Sequence, residues 1–130
     1  MQNWIITELR NRGFRITPKR KIIASFITKN EGIFCAKQII EKLPNIDETT
    51  IYRNLETLEK QEIIMPVIKI HGHQFYETNN ENLHHHHLVC TECFKTECVT
   101  CNEPKIYNKN FKNINHLLIF TGICNNCNKI

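Results

Sequence analysis

The sequence predicts an α+β protein in two parts, and three observations support this fold class. Apolar residues recur at helical spacing through most of residues 1–62, and residues 63–77 read as two strands joined by a turn. Two Cys-x-x-Cys pairs then mark a smaller second half of mixed strands and helix. A chain of 130 residues is long enough for two small domains, so we expect one in each half.

Four helices are predicted in the first half. Their apolar stripes cover residues 3–12, 18–29, 36–43 and 48–61. Thr17 and Pro18 start the second helix, and Asp47 caps the fourth. Cys35 stands at the cap of the third with Gln38 three residues on, an imperfect capping box because a thiol is a poor acceptor. The inward stripe of the second helix is predicted as Ile22, Ile23, Phe26 and Ile27.

A β-hairpin is predicted after the last helix, with strands at 63–70 and 74–77 and a turn at 71–73. Helices followed by a hairpin in this order describe a winged helix, whose last helix enters the major groove of DNA by its N-terminal residues. The side chains there offer hydroxyl, aromatic and guanidinium groups for phosphate and base contacts: Thr49, Thr50, Tyr52 and Arg53. Two alternatives are a half-buried Tyr52 and an ion pair from Arg53 to Glu48 or Glu56.

The first thirty residues are strongly basic, with seven Lys or Arg residues against a single acid, Glu8. Such a concentration of charge is an electrostatic footprint for phosphate, and Arg15 and Arg20 belong to it. A solvated basic surface is the alternative, because a charge cluster alone is a weak indicator. No apolar run approaches the roughly 20 residues that span a bilayer, so we expect a soluble protein with no membrane partner. The charged opening segment without a signal peptide leads us to expect a cytoplasmic location.

Two cysteine pairs, Cys90/Cys93 and Cys124/Cys127, have the spacing of two knuckles that close a tetrahedral zinc site. Four thiolates leave no open position for a substrate, so this site is interpreted as structural. A disulfide framework is the alternative. Against it, seven cysteines is an odd count, and the chain opens on a mixed, charged segment with no signal peptide.

Four consecutive histidines precede the first cysteine pair. On a strand, alternation sends His84 and His86 to one face and His85 and His87 to the other, so the run can serve two metal sites.

The organisation of the second half is less strongly marked. Residues 79–82 are predicted as a hinge between domains at 1–78 and 83–130. In the second domain we predict strands at 83–89, 95–100 and 116–123, and a helix at 103–113.

Taken together, these motifs resemble the ferric uptake regulator (Fur) family. They run in order along the chain: Arg15-Ile16-Thr17-Pro18-Lys19-Arg20, Thr50-Ile51-Tyr52-Arg53-Asn54-Leu55, Tyr76-Glu77, the histidine run with both cysteine pairs, and His116. The resemblance implies a homodimeric, metal-sensing transcription regulator, usually a repressor of metal-homeostasis genes, that binds a double-stranded DNA operator. It also implies a winged-helix DNA-binding domain, a small α/β dimerisation domain, and a structural Zn2+ held by Cys90, Cys93, Cys124 and Cys127.

The resemblance implies two further metal sites. Glu77, His85 and His87 match a sensing site between the domains, while the remaining histidines match a second site in the dimerisation domain: His84, His86 and His116. One ion held by both halves would fix the angle between them, and the dimer's two reading helices would gain the spacing of two half-sites.

The sensing site departs from the family pattern. Ile33 occupies a position that often holds histidine, and Cys98, followed by Cys101, occupies one where some members have a carboxylate. A shell of Glu77, two imidazoles and Cys98 favours Zn2+ over Fe2+ as the effector, and histidine-rich shells also accept nickel. His71 or His73 could supply the missing imidazole. Plain thiols, a redox sensor and a polar wing tip are the alternative roles for these cysteines and histidines.

The sequence therefore leaves three classes of function to be considered. The first is a zinc- or iron-responsive regulator, with a nickel- or peroxide-responsive regulator of the same family as an alternative. The second is a zinc enzyme, which would need an open metal position and a general base, yet the sequence contains neither H-x-E nor H-E-x-x-H. The third, a metal-buffering protein, would explain the histidines and cysteines but not residues 49–53.

Overall fold

The computed structural model describes residues 3–29, 33–79, 86–99, 106–112, 114 and 118–128. The chain divides into two compact units, Met1–Asn80 and Glu81–Ile130, here called the N-terminal and C-terminal units. Within the described ranges, no helix is long and apolar enough to cross a membrane.

The N-terminal unit contains the four predicted helices and the predicted hairpin. The helices are α1 (Trp4–Asn11), α2 (Pro18–Lys29), α3 (Ala36–Lys42) and α4 (Glu48–Lys60). The strands are β1 (Ile33–Cys35), β2 (Ile64–Ile70) and β3 (His73–Thr78), and they form an antiparallel sheet in the order β1-β3-β2. Strand β1 was not predicted, because three consecutive buried residues show neither helical nor alternating periodicity.

One apolar core holds this unit together. Its fully buried members come from every helix and include Leu9, Ile27, Ile39, Ile51 and Leu55. The capping box at Cys35 is formed in both directions: the Gln38 side chain accepts a hydrogen bond from the Cys35 N–H at 3.0 Å, and the Cys35 thiol accepts one from the Gln38 N–H.

The predicted stripe of α2 is wrong at one position. Ile22 is 47% exposed, whereas Ile23 and Ile27 are almost completely buried and Ala24 lies beside them. The buried stripe is therefore centred on Ile23 and Ile27, one turn apart, and Ile22 lies about 100° around the helix from Ile23.

The C-terminal unit is built on a three-stranded sheet in the order β5-β4-β6. Strand β4 (His86–Cys90) pairs antiparallel with β5 (Thr96–Val99) and parallel with β6 (Ile119–Gly122). All three strands fall within the segments predicted from sequence, apart from the last residue of β4.

The predicted helix at 103–113 is wrong over its described part, residues 106–112, which form an irregular segment with a turn. The Asn108 carbonyl accepts from the Phe111 N–H at 3.1 Å, and the Asn108 side-chain oxygen accepts from the Asn110 N–H at 2.9 Å. Asparagine side chains compete with helical hydrogen bonds in this way, and they outweigh the apolar spacing. Residues 103–105 and 113 lie outside the described part.

Candidate metal centre and nucleic-acid interface

Four cysteine thiols lie together at one end of the C-terminal sheet. The sulfur atoms of Cys90, Cys93, Cys124 and Cys127 all lie within 4.8 Å of one another. Sγ of Cys93 is 3.8 Å from Sγ of Cys124, and two thiolates 2.3 Å from a tetrahedral zinc ion would be about 3.8 Å apart. The donor set and its spacing therefore fit a structural zinc site.

Strand pairing brings the two cysteine pairs together. Cys90 ends β4 and lies opposite Gly122 of β6, two residues before Cys124. Each pair then lies in a tight turn: the Phe94 N–H donates to the Cys90 carbonyl at 2.9 Å, and the Cys127 N–H donates to the Cys124 carbonyl at 3.0 Å. Two turns closed by backbone hydrogen bonds thus aim four thiols at one point.

The thiols of this cluster differ in acidity. The backbone N–H of Cys124 donates to Sγ of Cys90 at 3.4 Å, and this and further hydrogen bonds lower the pKa of Cys90 to about 6. Thiol hydrogen bonds with Cys124 and Cys93 raise the pKa of Cys127 to about 12. Zinc requires thiolates, so metal binding must displace protons from the cluster, and metal affinity falls as the pH falls.

The histidines of β4 lie on the two faces of the sheet. His86 is opposite Val99 and His87 is opposite Cys98 in β5, and successive residues of a strand point to opposite faces. Both imidazoles are buried, His86 at 3% and His87 at 2% exposure. His87 and the exposed Cys98 therefore share one face as cross-strand neighbours. The other predicted ligands of the second unit lie outside the described residues: His84, His85, His116 and also Cys101.

Glu77 lies in β3 of the N-terminal unit, half-buried, opposite Ile33 of β1. Ile33 is 2% exposed. The position at which the Fur family often has histidine is thus next to Glu77 and contributes an apolar side chain. The two histidines of the hairpin turn, His71 and His73, lie on either side of Gly72, and φ is positive at His71 (50°) and Gly72 (81°).

The start of α4 presents polar groups to solvent. Asp47 caps the helix, accepting from the Thr50 N–H at 3.1 Å and from its hydroxyl at 2.6 Å, and the pKa of Asp47 is lowered chiefly by that hydroxyl. Thr49, Tyr52 and Arg53 are exposed, Tyr52 at 55%. Tyr52 is thus not half-buried. Glu56 pairs with Lys60 at 3.0 Å.

Arg15 and Arg20, the two arginines of the basic first thirty residues that were expected to contact DNA, differ in exposure. Arg15 is exposed, whereas Arg20 is half-buried. Arg20 Nε donates to Asn54 Oδ1 at 2.9 Å, and a terminal nitrogen donates to the Arg15 carbonyl at 2.8 Å. Sequence reasoning missed Asn54. The signal was an amide within the apolar stripe of α4, three residues after Ile51 and one before Leu55.

A winged-helix unit with an exposed polar helix start, joined to a unit with a four-thiol centre, is the architecture of a metal-binding transcription regulator. The family model described as "Ferric uptake regulator family" matches residues 11–121, and this chain belongs to that family. It is accordingly a DNA-binding, metal-binding transcription regulator.

Individual relatives agree with this assignment. The chain is similar to the ferric uptake regulation protein of Bacillus subtilis (strain 168), with 29% identity over 134 residues that cover 93% of this chain and 90% of that protein. It is 28% identical over 134 residues to the peroxide-responsive repressor PerR of Staphylococcus saprophyticus, covering 94% and 88%. The structure of Vibrio cholerae Fur matches with a TM-score of 0.70 at 21% identity, covering 91% of this chain and 98% of that chain. This likeness shows the shared fold.

Replacing Cys124 by Ser should remove the tightly held metal, because one lost ligand opens the four-thiolate shell. We expect zinc content, measured by mass spectrometry of metals after dialysis against a weak chelator, to fall from about one ion per chain towards zero. Cys98→Ser, an exposed cysteine of the same sheet, is the matched control and should keep this ion. A Cys124→Ser protein that retains its zinc would contradict the assignment.

Proposed function

We propose that this chain is a homodimeric repressor of metal-homeostasis genes whose operator binding requires a second divalent ion, and that Zn2+ is the preferred effector over Fe2+. The single observation that carries the metal preference is the cross-strand pair of His87 and Cys98. Family membership identifies the chain as a transcription regulator, and the residues of this pair suggest which metal it responds to.

The proposed sensing site consists of Glu77, His85, His87 and Cys98. A thiolate, imidazoles and one carboxylate make a soft shell suited to tetrahedral coordination, which Zn2+ adopts readily, whereas Fe2+ sites are richer in oxygen ligands. The apolar Ile33 supports this preference, because it leaves Glu77 without the histidine neighbour that would enlarge the shell. We assign His84, His86 and His116 to the second site.

Operator recognition is assigned to the start of α4 together with the basic segment before α2. The exposed Thr49, Tyr52 and Arg53 suit phosphate, thymine-methyl and guanine contacts respectively, and Thr50 is held by the cap at Asp47. Arg15 adds an exposed positive charge for the phosphate backbone. An effector that binds the DNA-binding conformation more tightly than the other conformations would link metal occupancy to operator binding.

The homodimer is supported by large apolar side chains left in solvent on the C-terminal unit. Leu88 and Phe120 are cross-strand neighbours, 36% and 45% exposed, and Tyr107 and Phe111 are 89% and 68% exposed. Large exposed apolar groups often mark a protein–protein contact, so we assign these side chains to contact with a second copy of the chain.

Arg53→Ala should weaken operator binding by about 1–3 kcal/mol if this guanidinium contacts a base, and it should leave the metal content unchanged. Fluorescence anisotropy with labelled operator at fixed zinc measures the effect. Lys60→Ala removes one positive charge from the opposite end of the same helix and serves as the control. Equal losses in the two variants would show a general charge effect and remove Arg53 from the recognition surface.

Cys98→Ala should raise the zinc concentration at half-maximal DNA binding by about tenfold or more, because even outer ligand partners contribute 10–100-fold to metal affinity. Cys98→Asp should lower the response to zinc and raise that to Fe2+, since a carboxylate hardens the shell. Both are measured by metal titration of DNA retardation under anaerobic conditions. Glu97→Ala, an exposed neighbour on the opposite face of β5, is the control, and its oligomeric state is measured first because Glu97 lies opposite Leu88. An unchanged zinc response in Cys98→Ala would exclude Cys98 from the sensing site.

A further inference from the structure

We propose that Arg20 and Asn54 form a positioning pair that sets the orientation of α4 on the N-terminal unit, and that Arg20 serves operator recognition through this pair rather than by contacting phosphate. The inference rests on the proposed role of α4 in reading DNA. Its position in a basic segment suggested that Arg20 contacts phosphate, and the inference gives it a positioning role instead. It also assigns a role to Asn54.

The pair is a continuous chain of hydrogen bonds into the first turns of α4. Arg20 Nε donates to Asn54 Oδ1 at 2.9 Å, and Asn54 Nδ2 donates to the Thr50 carbonyl at 2.8 Å. Thr50 is also bound by the cap at Asp47. The contact from α2 therefore ends on the helical turn that carries Thr49, Tyr52 and Arg53.

Asn54 occupies a position where an apolar residue would be expected. It is 8% exposed and lies among the buried Ile51, Leu55 and Leu58 of the same helix. A buried amide without partners is strongly unfavourable, and Asn is a weak helix former, so a leucine would stabilise the helix more. Here the oxygen and the nitrogen of the amide both form hydrogen bonds. Buried polar groups with their hydrogen bonds satisfied favour one packing arrangement of the helices over similar alternatives.

The other contacts of Arg20 connect it to the segment before α2 and to the start of α2. Its terminal nitrogen donates to the Arg15 carbonyl at 2.8 Å, and its guanidinium lies 5.9 Å from the centre of the Phe14 ring. Its backbone N–H donates to the Thr17 hydroxyl at 3.1 Å. One planar group thus joins the segment before α2 to α4, and it fixes exposed Arg15 relative to the recognition residues.

The two hydrogen bonds from Arg20 to Asn54 and Arg15 require the several N–H donors of a planar guanidinium group. Lysine keeps the charge but has neither the Nε donor nor the planar arrangement that serves Asn54 and Arg15 together. A phosphate contact would depend mainly on the charge. Arg20→Lys therefore separates the two roles, because it preserves a phosphate contact and breaks the positioning pair.

The test compares Arg20→Lys, Asn54→Ala and the double variant in operator binding and in binding to unrelated DNA, over a range of salt concentrations. We expect Arg20→Lys to weaken operator binding by about tenfold, the double variant to lose little more, and binding to unrelated DNA to change little. The slope of log affinity against log salt should stay at the wild-type value, since no phosphate contact is lost.

Arg15→Gln is the matched control, an exposed arginine five residues away. It should weaken binding to both DNAs alike and reduce the salt slope by about one phosphate contact. Wild-type operator affinity in Arg20→Lys, or additive losses in the double variant, would overturn the positioning pair. The positioning pair would also be overturned if Arg20→Gln reduced the slope of log affinity against log salt as much as Arg15→Gln does.

A measurement without DNA separates this inference from the proposed role of α4. In the free zinc-loaded protein, the NMR signals of the Asn54 side-chain amide should shift and exchange faster in Arg20→Lys, while the signals of α1 stay unchanged. Unchanged Asn54 signals would overturn the pair whatever the DNA result. A wild-type protein that binds no DNA, with the Asn54 shift present, would reject the recognition role of α4 and with it the function of the pair.

Discussion

The C-terminal unit depends on the closure of two cysteine turns at the ends of β4 and β6. Among the described residues from 86 to 128, the buried apolar side chains are Val89, Cys90 and Phe94. Small domains are commonly stabilised by a structural metal, and four thiols within 4.8 Å of one another would add stability in this way on binding zinc. Because β4 ends in this cluster, its register is fixed, and the faces occupied by His86 and His87 are fixed with it.

The N-terminal unit is organised by a different force. Helices and sheet share one apolar core, and the residues that would meet DNA lie on the outside of that core. The cap at Asp47 and the amide of Asn54 both act on the first turns of α4, one from its end and one from its buried face. The residues proposed to contact DNA are thus carried by a helix that is held at two points, and placement on a regular element favours precise contacts to base edges.

Sequence periodicity was sufficient for the helices, the hairpin and the cysteine cluster, because each has a local signature. It failed where a contact between distant parts of the chain determines the local structure or the role of a residue. Residues 106–112 have helical apolar spacing, but asparagine turns prevail there. Ile22 fits the apolar spacing of α2, but the packing of the helix centres the buried stripe on Ile23 and Ile27 and leaves Ile22 exposed. Arg20 looked like a phosphate contact because its partner Asn54 is distant in sequence. The pairing of His87 with Cys98 likewise depends on a strand register that spacing alone does not give.

We propose that an effector metal, in addition to the zinc expected at the four thiols, switches on operator binding. The most direct measurement starts from protein that holds only its tightly bound zinc, about one ion per chain, and follows operator retardation as zinc, Fe2+, manganese or nickel is added. We expect weak retardation at the start and full retardation on addition of about one further zinc per chain, with zinc effective at the lowest free concentration. Full operator binding before any metal is added would contradict it.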